Sequence, residues 1–499
     1  MTVHTQQFDY PLFKGKVSVN TGLFIDGKYV DPLDRHDIEV FDPTTGKVIT
    51  TIAAGGKKDV DRAVVAAQKA FKTTWGKTVS GTQRGHLIRK LAEVFEKHQD
   101  ELAALETLDS GKQYFHVKAM DFANAIETLK YYAGWADKIS GKTIEAEPHK
   151  FVYTLHEPIG VVGCIVPWNF PIMILAWKLG PALATGNCVI VKPSEVTPLA
   201  TLKFAELIQE AGFPPGVVNI VTGYGSVAGQ ALAQHPDVGK ISFTGSTLTG
   251  RKILHSSGDS NLKRVTLELG GKTPNIIFDD ADIEQAVKWT AMGIFHHAGQ
   301  MCTAGSRIFV QEGVYDKVMA AFVEIAKAAK PGSGFDPNTK IDPVVSKTQF
   351  DRVMGYINAG KESGATVAVG GGQLGNEGYF VQPTLFTDVS ADMKIVKEEI
   401  FGPVGVIIKF KTEEEALAAA NDTTYGLSAC IYTKDVERAT RFASALEAGS
   451  IFVNITSGPD WRVSFGGFKQ SGFGKDLGEY ALEGYTNTKA VTLNIGQKL

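Results

Sequence analysis

Apolar side chains recur at helical spacing in the first third of the chain. The pattern predicts three helices, at Lys57–Phe71, at about Gln83–Leu108 and at Ala119–Tyr132. None of these segments carries a group of residues with obvious chemistry. We therefore interpret their apolar stripes as faces that pack into a core.

Between Gly160 and Gly270, short apolar runs alternate with helical patterns. This alternation is typical of βαβ units, which build a parallel sheet. Open sheets of this kind bind nucleotides at the carboxyl ends of their strands, where helix N-termini present free N–H groups. The predicted strands are Val161–Val166, Cys188–Val191, Val217–Val221, Lys240–Phe243 and Val265–Leu267, and the predicted helices include Leu199–Ala211 and Ser226–Ala233.

A second αβ region runs from Gly270 to about Gly467, with helical patterns such as Ile283–His297 and Tyr315–Ala329. The last segment, Lys489–Ile495, alternates in the manner of a strand. Its partner is either a neighbouring subunit or an earlier strand of the same chain.

Composition adds little to this picture but excludes several classes. A chain of 499 residues calls for two or three domains. A net charge of −3 offers no electrostatic surface for nucleic acid or an anionic membrane. The four cysteines form no disulfide framework and no metal-ligand spacing. The adjacent His296 and His297 do not face the same way on a helix, so we expect no metal.

The first residues lack both the apolar stretch of a secretory signal and the arginines of a mitochondrial transit peptide. No apolar run is long enough to cross a bilayer. We therefore expect a cytoplasmic protein that binds neither membrane nor nucleic acid.

Cys302 is the cysteine best placed for chemistry. It lies beyond a helical pattern, between Gly299 and a run of small residues, which predicts a tight and accessible turn. The other three cysteines lie in apolar runs and are interpreted as core residues. A buried, inert role remains the commoner one for any free cysteine.

Two further residues could serve acyl chemistry. Glu268 ends an apolar strand, where burial would raise its pKa and suit it to act as a base; a buried ion pair is the alternative. Asn169 lies between Pro167 and Pro171 in a stiff loop, as an oxyanion donor would, although turn formation would also explain it.

Candidate nucleotide contacts also follow predicted strands. The chain has no G-x-G-x-x-G motif in the right place, but Gly245 and Ser246 lead from a strand into a helix. Lys192 and Glu195 could reach ribose hydroxyls, and a glutamate there disfavours a 2′-phosphate; a surface salt bridge would look the same. Glu399 and Phe401 place an acid and an aromatic ring before a turn, although Phe401 could be a core residue.

Together these segments resemble the aldehyde dehydrogenase superfamily over nearly the whole chain, and most closely its NAD-dependent class 1 and class 2 enzymes. Seven motifs in order carry the resemblance: PWNFP at 167–171, WKLGPALATGN at 177–187, FTGS at 243–246, LELGGK at 267–272, GQMCTAGSR at 299–307, EEIFGP at 398–403 and SFGGFKQSG at 464–472.

The resemblance implies an α/β fold with a Rossmann-like nicotinamide domain (residues 1–139 and 158–270) and an α/β catalytic domain (271–485). A small β oligomerisation element (140–157 and 486–499) would assemble a homotetramer or homodimer.

It also implies a role for each candidate residue, with NAD, or alternatively NADP, as the cofactor. Cys302 would be the nucleophile and Glu268 the base, Asn169 would bind the oxyanion, and Lys178 would help to relay protons. The cofactor would contact Trp168, Lys192, Glu195, Gly245, Ser246, Glu399 and Phe401, and the substrate pocket would include Phe170, Met173, Trp177, His296 and Phe465.

Three departures from the close relatives concern the substrate and the proton path. Met301 and Thr303 replace the cysteines that commonly flank the nucleophile, and the loop 455–462 differs. Asp476 stands where a glutamate is common. The apolar pocket favours aliphatic or aromatic aldehydes such as acetaldehyde, although Arg462 leaves a negatively charged semialdehyde open.

Two other functions are considered. A CoA-acylating semialdehyde dehydrogenase would share Cys302 and the cofactor site but would not need Glu268, so the glutamate favours hydrolysis. A catalytically silent binding protein on the same scaffold would not need Cys302, Glu268 and Asn169 together.

Overall fold

The computed structural model describes residues 2–34, 36–456 and 458–499. Its strands, in chain order, are β1 (Val3–Asp9), β2 (Lys14–Asn20), β3 (Leu23–Ile25), β4 (Lys28–Val30), β5 (Asp37–Asp42), β6 (Lys47–Ala53), β7 (Thr143–Ile144), β8 (Lys150–Pro158), β9 (Val161–Ile165), β10 (Cys188–Lys192), β11 (Val218–Ile220), β12 (Lys240–Thr244), β13 (Arg264–Glu268), β14 (Pro274–Ile277), β15 (Arg307–Gln311), β16 (Thr366–Val369), β17 (Thr384–Thr387), β18 (Val404–Phe410), β19 (Tyr425–Gly426), β20 (Ser428–Tyr432), β21 (Ser450–Val453), β22 (Phe468–Lys469), β23 (Gly472–Phe473) and β24 (Thr486–Asn494).

The α-helices are α1 (Lys57–Thr73), α2 (Gly81–Ser110), α3 (Tyr114–His116), α4 (Ala123–Trp135), α5 (Pro171–Ala184), α6 (Leu199–Ala211), α7 (Gln230–Gln234), α8 (Thr247–Gly258), α9 (Ile283–Phe295), α10 (Tyr315–Lys327), α11 (Lys347–Glu362), α12 (Lys394–Lys397), α13 (Glu413–Asn421) and α14 (Val436–Ala445). Two π-helical turns, Val117–Phe122 and Gly225–Gly229, precede α4 and α7. From β9 onwards strands and helices largely alternate, as the hydrophobic pattern predicts, whereas the six strands before α1 were not predicted.

Two mainly parallel sheets form the body of the fold. The first has the order β23-β13-β12-β9-β10-β11-β3-β4, and its five central strands are parallel. The second has the order β16-β17-β18-β15-β14-β20-β21, with only β16 antiparallel. The predicted α/β class is confirmed, and the five predicted strands between residues 160 and 270 are all central strands of the first sheet.

The chain returns from the second sheet to the first near residue 470. Strand β23 pairs antiparallel with β13. Beside this pairing, the hydroxyl of Ser471 donates to the carbonyl of Gly270 at 2.6 Å and accepts from the N–H of Gly426 at 3.0 Å. One buried serine therefore connects the two sheet regions. The division of the chain at residues 270 and 485 stays a prediction.

The terminal strand β24 pairs antiparallel with β8 along nine residues, and β7 completes a three-stranded sheet. Of the two partners considered for the terminal strand, the structure shows the one within the chain. In the described ranges, no helix combines the length and apolar character that a bilayer crossing requires.

Helix α5 matters most for the site because it is buried along its whole length. Its apolar residues pack between the first sheet and helices α2 and α4. This burial fixes Met173, Trp177 and Lys178 in place from one rigid element.

Candidate active site

Cys302 lies in a sharply turned loop that follows α9. The helix ends at Phe295, two residues earlier than predicted, because His297 and Ala298 adopt left-handed conformations with φ of 48° and 51°. Gly299 continues the turn with φ of 69°, and a β-carbon there would lie 2.1 Å from the carbonyl oxygen of Gly402. The loop thus folds back on itself and presents Cys302 on a cavity wall.

That cavity has a volume of about 330 Å³ and a mostly apolar wall. The structure brings the predicted pocket residues together on it with Cys302 and Glu268. They are Phe170, Met173, Trp177, His296 and Phe465. Helix α4 adds Asn124, and the chain after residue 457 adds Pro459 and Trp461.

Glu268 ends β13 and is 4 % exposed. Neither carboxylate oxygen has a hydrogen-bond partner among the described residues. Burial, and secondarily the charge of Asp476, raises the pKa of Glu268 well above its ordinary value, while Lys178 and Lys475 oppose the rise. Loss of water thus disfavours the charged carboxylate of Glu268 and favours its protonated form.

Burial also raises the pKa of the Cys302 thiol to about 12, with smaller contributions from Glu399 and Glu268. A thiol must lose its proton before it attacks carbon. The cavity therefore keeps Cys302 protonated until a base or a positive charge comes close.

Asn169 is buried, and its amide nitrogen donates to the carbonyl of Gln300 at 2.9 Å. The Gln300 side chain in turn accepts from Val345 N–H and donates to the carbonyls of His297 and Pro343. The stiff loop around Asn169 thus holds the cysteine loop two residues before Cys302.

Lys178 is also buried, on α5, and does not line the cavity. Its ammonium donates to Asp476 at 2.9 Å and to the hydroxyl of Ser242 at 3.2 Å. Asp476 replaces the commoner glutamate and still pairs with the lysine. This pair supplies opposite charges whose fields both act on Glu268.

The LELGGK motif explains how the two sheet regions meet at Cys302. A β-carbon on Gly271 would lie 2.3 Å from the Cys302 carbonyl oxygen, and one on Gly270 would lie 2.3 Å from a Glu399 carboxylate oxygen. Glu399 also accepts from Gly271 N–H at 3.1 Å. Only glycine fits at position 271, where the neighbour is backbone, whereas a β-carbon at position 270 would displace the flexible end of Glu399.

The candidate cofactor residues lie at the carboxyl ends of the first sheet and around Glu399. Lys192 ends β10 and pairs with Glu195 at 2.8 Å, as in the salt-bridge alternative, but the lysine is buried rather than on the surface. Although burial opposes ionisation, Lys192 lowers the pKa of Glu195. Ser246 caps α8 by accepting from Thr249 N–H, and the N–H of Gly245 donates to the Glu268 carbonyl.

On the other side, the rings of Trp168 and Phe401 meet edge to face, with centroids 5.2 Å apart. Phe401 has a φ of 59°, which turns the chain two residues after Glu399. Burial raises the pKa of Glu399 to about 7, and the N–H of Gly271 opposes the rise.

Two features escaped the sequence analysis. A cavity of about 550 Å³ opens between α7 and α8, lined by small and polar residues that include Gly229, Thr249 and Ser256. Asn124 accepts from the Trp177 indole N–H and donates to the Pro459 carbonyl, both at 2.8 Å. An isolated asparagine within the helical pattern near α4 was the only available signal.

The loop 455–462 is described except for Ser457, which lies outside the described residues. Arg462 does not line the cavity; its guanidinium pairs with Asp460 and its side chain is 65 % exposed. No set of three or more histidine, cysteine or acidic side chains in the described chain is arranged to hold a metal.

The raised pKa of Cys302 predicts slow alkylation in the cofactor-free protein. Iodoacetamide modification of Cys302 should rise about tenfold per pH unit from pH 7 to 10, because the thiolate fraction rises that steeply below the pKa. Mass spectrometry of the Cys302 peptide measures the rate, with Cys302→Ser as the blank. A rate that levels off below pH 8.5 would show that the thiol is not held protonated.

Comparisons with known proteins agree with this site. The aldehyde dehydrogenase family model matches residues 29–491. An aldehyde dehydrogenase of Agaricus bisporus is 55% identical over 498 residues, 100% of both chains, and a mitochondrial aldehyde dehydrogenase of Homo sapiens is 51% identical over 95% of this chain and 92% of its own. The NAD+ complex of an aldehyde dehydrogenase from Bacillus cereus superposes with a TM-score of 0.94 at 46% identity, covering 95% of this chain and 97% of that one. The chain belongs to the aldehyde dehydrogenase family.

Proposed function

We propose that this protein oxidises uncharged aldehydes to carboxylic acids with NAD+, with Cys302 as the nucleophile and Glu268 as the base. The observation that supports this most directly is that Cys302 and Glu268 line one apolar cavity. Asn169 holds the loop that carries the cysteine. A thiol and a carboxyl on one cavity wall, with an amide bonded to the backbone two residues before the thiol, are the groups that acyl chemistry through a thioester requires.

The residues at the carboxyl ends of the strands in the first sheet are suited to bind a dinucleotide. Lys192 and Glu195 would bind the adenosine ribose, and Ser246, at the N-terminus of α8, would bind the pyrophosphate. Glu399 and Phe401 would hold the nicotinamide riboside, with Trp168 and Gly245 shaping the cleft. The open cavity between α7 and α8 leaves space beside Ser246 for the rest of the molecule. Glu195 would repel a 2′-phosphate, which favours NAD+ over NADP+.

The first half-reaction is attack of the Cys302 thiolate on the aldehyde carbon. The negative oxygen that forms needs preorganised donors, which the Asn169 amide and the Cys302 N–H would provide. Loss of one such donor typically lowers the rate by about 10²–10³-fold. NAD+ supplies the electrophilic ring carbon that accepts the hydride as the adduct becomes a thioester.

The second half-reaction is hydrolysis of that thioester. Glu268 would take a proton from water as the water attacks the carbonyl carbon, and the C–S bond would break with Cys302 leaving as the thiolate. Lys178 and Asp476, paired behind Glu268, would pass the proton on. Because Glu268 lines the cavity, hydrolysis of the thioester is favoured over its transfer to CoA. A catalytically silent protein would not need Cys302, Glu268 and Asn169 together.

The cavity wall favours aliphatic or aromatic aldehydes such as acetaldehyde. Phe170, Trp177 and Phe465 offer apolar surface, which binds uncharged carbon chains. Arg462 is paired with Asp460 outside the lining, so it offers no cation to a negatively charged semialdehyde.

For Cys302→Ala, we expect aldehyde oxidation to fall by on the order of 10³-fold or more, because the nucleophile is lost. Calorimetric titration should still show NAD+ binding, and tighter binding of NAD+ than of NADP+. Turnover of the variant at the wild-type rate would refute the role of Cys302.

For Glu268→Gln, we expect a first-turnover burst of NADH followed by a slow steady state, because the thioester forms but is not hydrolysed. In the wild type, the raised pKa of Glu268 predicts that hydrolysis falls as pH is lowered through that pKa, since the base must be ionised. Stopped-flow absorbance measures both phases. An unchanged steady state in the variant would count against Glu268.

We also propose that the sheet of β7, β8 and β24 assembles the chain into a homotetramer, with a homodimer as the alternative. Phe151, Leu155 and Leu493 on this sheet are 43 %, 39 % and 46 % exposed, and β24 is an open edge. Apolar side chains on an unpaired edge are typical of an interface. A cytoplasmic location stays a prediction, since one relative is named as mitochondrial.

Analytical ultracentrifugation tests the assembly. We expect the wild type to sediment as an oligomer of the 53.7 kDa chain and the double variant Phe151→Asp, Leu493→Asp to sediment as a smaller species. Val436→Asp changes another exposed apolar side chain, distant in sequence, and is the matched control. Equal sedimentation of the double variant and the wild type would exclude this sheet as the interface.

A further inference from the structure

The polar side chains on the wall of the 330 Å³ cavity differ in what they already bind. Both ends of the Asn124 amide are used, by Trp177 and Pro459. The carboxylate of Asp121 forms an ion pair with the buried Lys112. Asn124 joins two parts of the cavity wall, and neither it nor Asp121 has its full hydrogen-bonding capacity free for a ligand.

His296 is different. It lies directly after α9, six residues before Cys302, and lines the same cavity. Its ring meets the ring of His116 edge to face, with centroids 4.8 Å apart. Among the described residues, the structure shows neither a hydrogen bond nor an ion pair from either ring nitrogen of His296. The ring nitrogens of His296 are also not among the fully buried polar atoms that lack a hydrogen-bond partner. Water or a ligand can therefore reach them.

The charge state of His296 narrows what it can recognise. Burial, and then the neighbouring His116, lowers the pKa of His296 to about 3, so the ring is neutral near pH 7. A neutral imidazole carries one N–H donor and one acceptor nitrogen. It therefore suits an uncharged group that can donate or accept, such as a hydroxyl, and offers no charge to a carboxylate or an ammonium group.

An imidazole is a poor choice for packing alone at this position. An apolar ring would fill the same space without leaving polar atoms unpaired in a mostly apolar cavity, where each unpaired group costs free energy. Water or a ligand must satisfy the nitrogens. A site built to hydrogen-bond a substrate discriminates against analogues that lack the partner group.

We propose that His296 is a specificity-determining residue and that the preferred substrates are aldehydes that carry an uncharged hydroxyl away from the reacting carbonyl. This inference rests on the proposed aldehyde oxidation and adds the substrate class. The apolar wall binds the carbon skeleton, and the imidazole binds the hydroxyl.

The test compares aldehydes that differ only by a hydroxyl in place of a methyl group, which has nearly the same size. Suitable pairs are 4-hydroxybenzaldehyde with 4-methylbenzaldehyde, 3-hydroxybenzaldehyde with 3-methylbenzaldehyde, and 6-hydroxyhexanal with heptanal. Steady-state kcat/KM with NAD+ is measured for each at pH 6.5, where the phenols are mostly neutral. The ratio within each pair is then compared between enzymes, which cancels the intrinsic reactivity of the aldehydes.

In at least one pair, we expect the hydroxyl-to-methyl ratio to fall by about tenfold or more in His296→Phe, because one hydrogen bond to the substrate is lost. His296→Gln keeps a donor and an acceptor and should retain part of the ratio. Met292→Leu changes an apolar side chain on the same wall and should affect both members of a pair alike. Equal ratios in the wild type and His296→Phe for every pair would overturn the inference.

A binding measurement separates this inference from the proposed function. If the wild type oxidises none of the aldehydes, the proposed function fails. Calorimetric titration of the same pairs into Cys302→Ala with NAD+ present, with and without His296→Phe, still tests His296. Tighter binding of the hydroxylated member that depends on His296 supports the inference, and equal binding refutes it.

Discussion

The site depends on a stretch of backbone with no room for side chains. Gly270 and Gly271 run between Glu399 and the carbonyl of Cys302, and each would place a β-carbon 2.3 Å from its neighbour. Because Glu268 lies just before these glycines, the base, the nucleophile loop and Glu399 converge from three distant parts of the sequence. Main-chain packing of Gly271 against the Cys302 carbonyl therefore fixes the nucleophile loop, whereas Gly270 leaves space for the flexible Glu399 carboxylate.

Burial then determines the charge of the assembled groups. The pKa values of Cys302, Glu268 and Glu399 are all raised, in each case mainly by loss of water. Because the charged form of each is disfavoured, mutual repulsion among the three acids is limited in this small space. The same burial makes each of them a stronger base once it is ionised, which is the property that both half-reactions need.

Much of the fold could be predicted because buried parallel strands are continuous apolar runs, as Cys188–Lys192 shows. Short antiparallel edge strands such as β4 and β23 could not, since two or three residues carry no period. Cys302 could be found from the small residues around it. The left-handed backbone of His297 and Ala298 could not, because neither residue type signals it and the tertiary contacts of the loop impose it.

Asn124 and the space between α7 and α8 were missed for another reason. A single asparagine on a helix face and a group of small polar residues have no distinctive spacing. The role of Asn124 depends on contacts with Trp177 and Pro459, and the space depends on how α7 and α8 pack, so neither follows from local sequence. Sequence motifs record main-chain requirements well and record long-range side-chain contacts poorly.

Ser471 affects how easily the two sheets can rotate against each other. Its hydroxyl bonds to main-chain groups at Gly270 and Gly426, and β23 beside it pairs with β13. A hinge rotation of one sheet against the other would break these bonds together at the point where Glu268 ends its strand. Such a rotation would cost at least these two hydrogen bonds, each worth about 0.5–1.5 kcal/mol net, so Ser471 resists opening of the fold beside the carboxylate it helps to position.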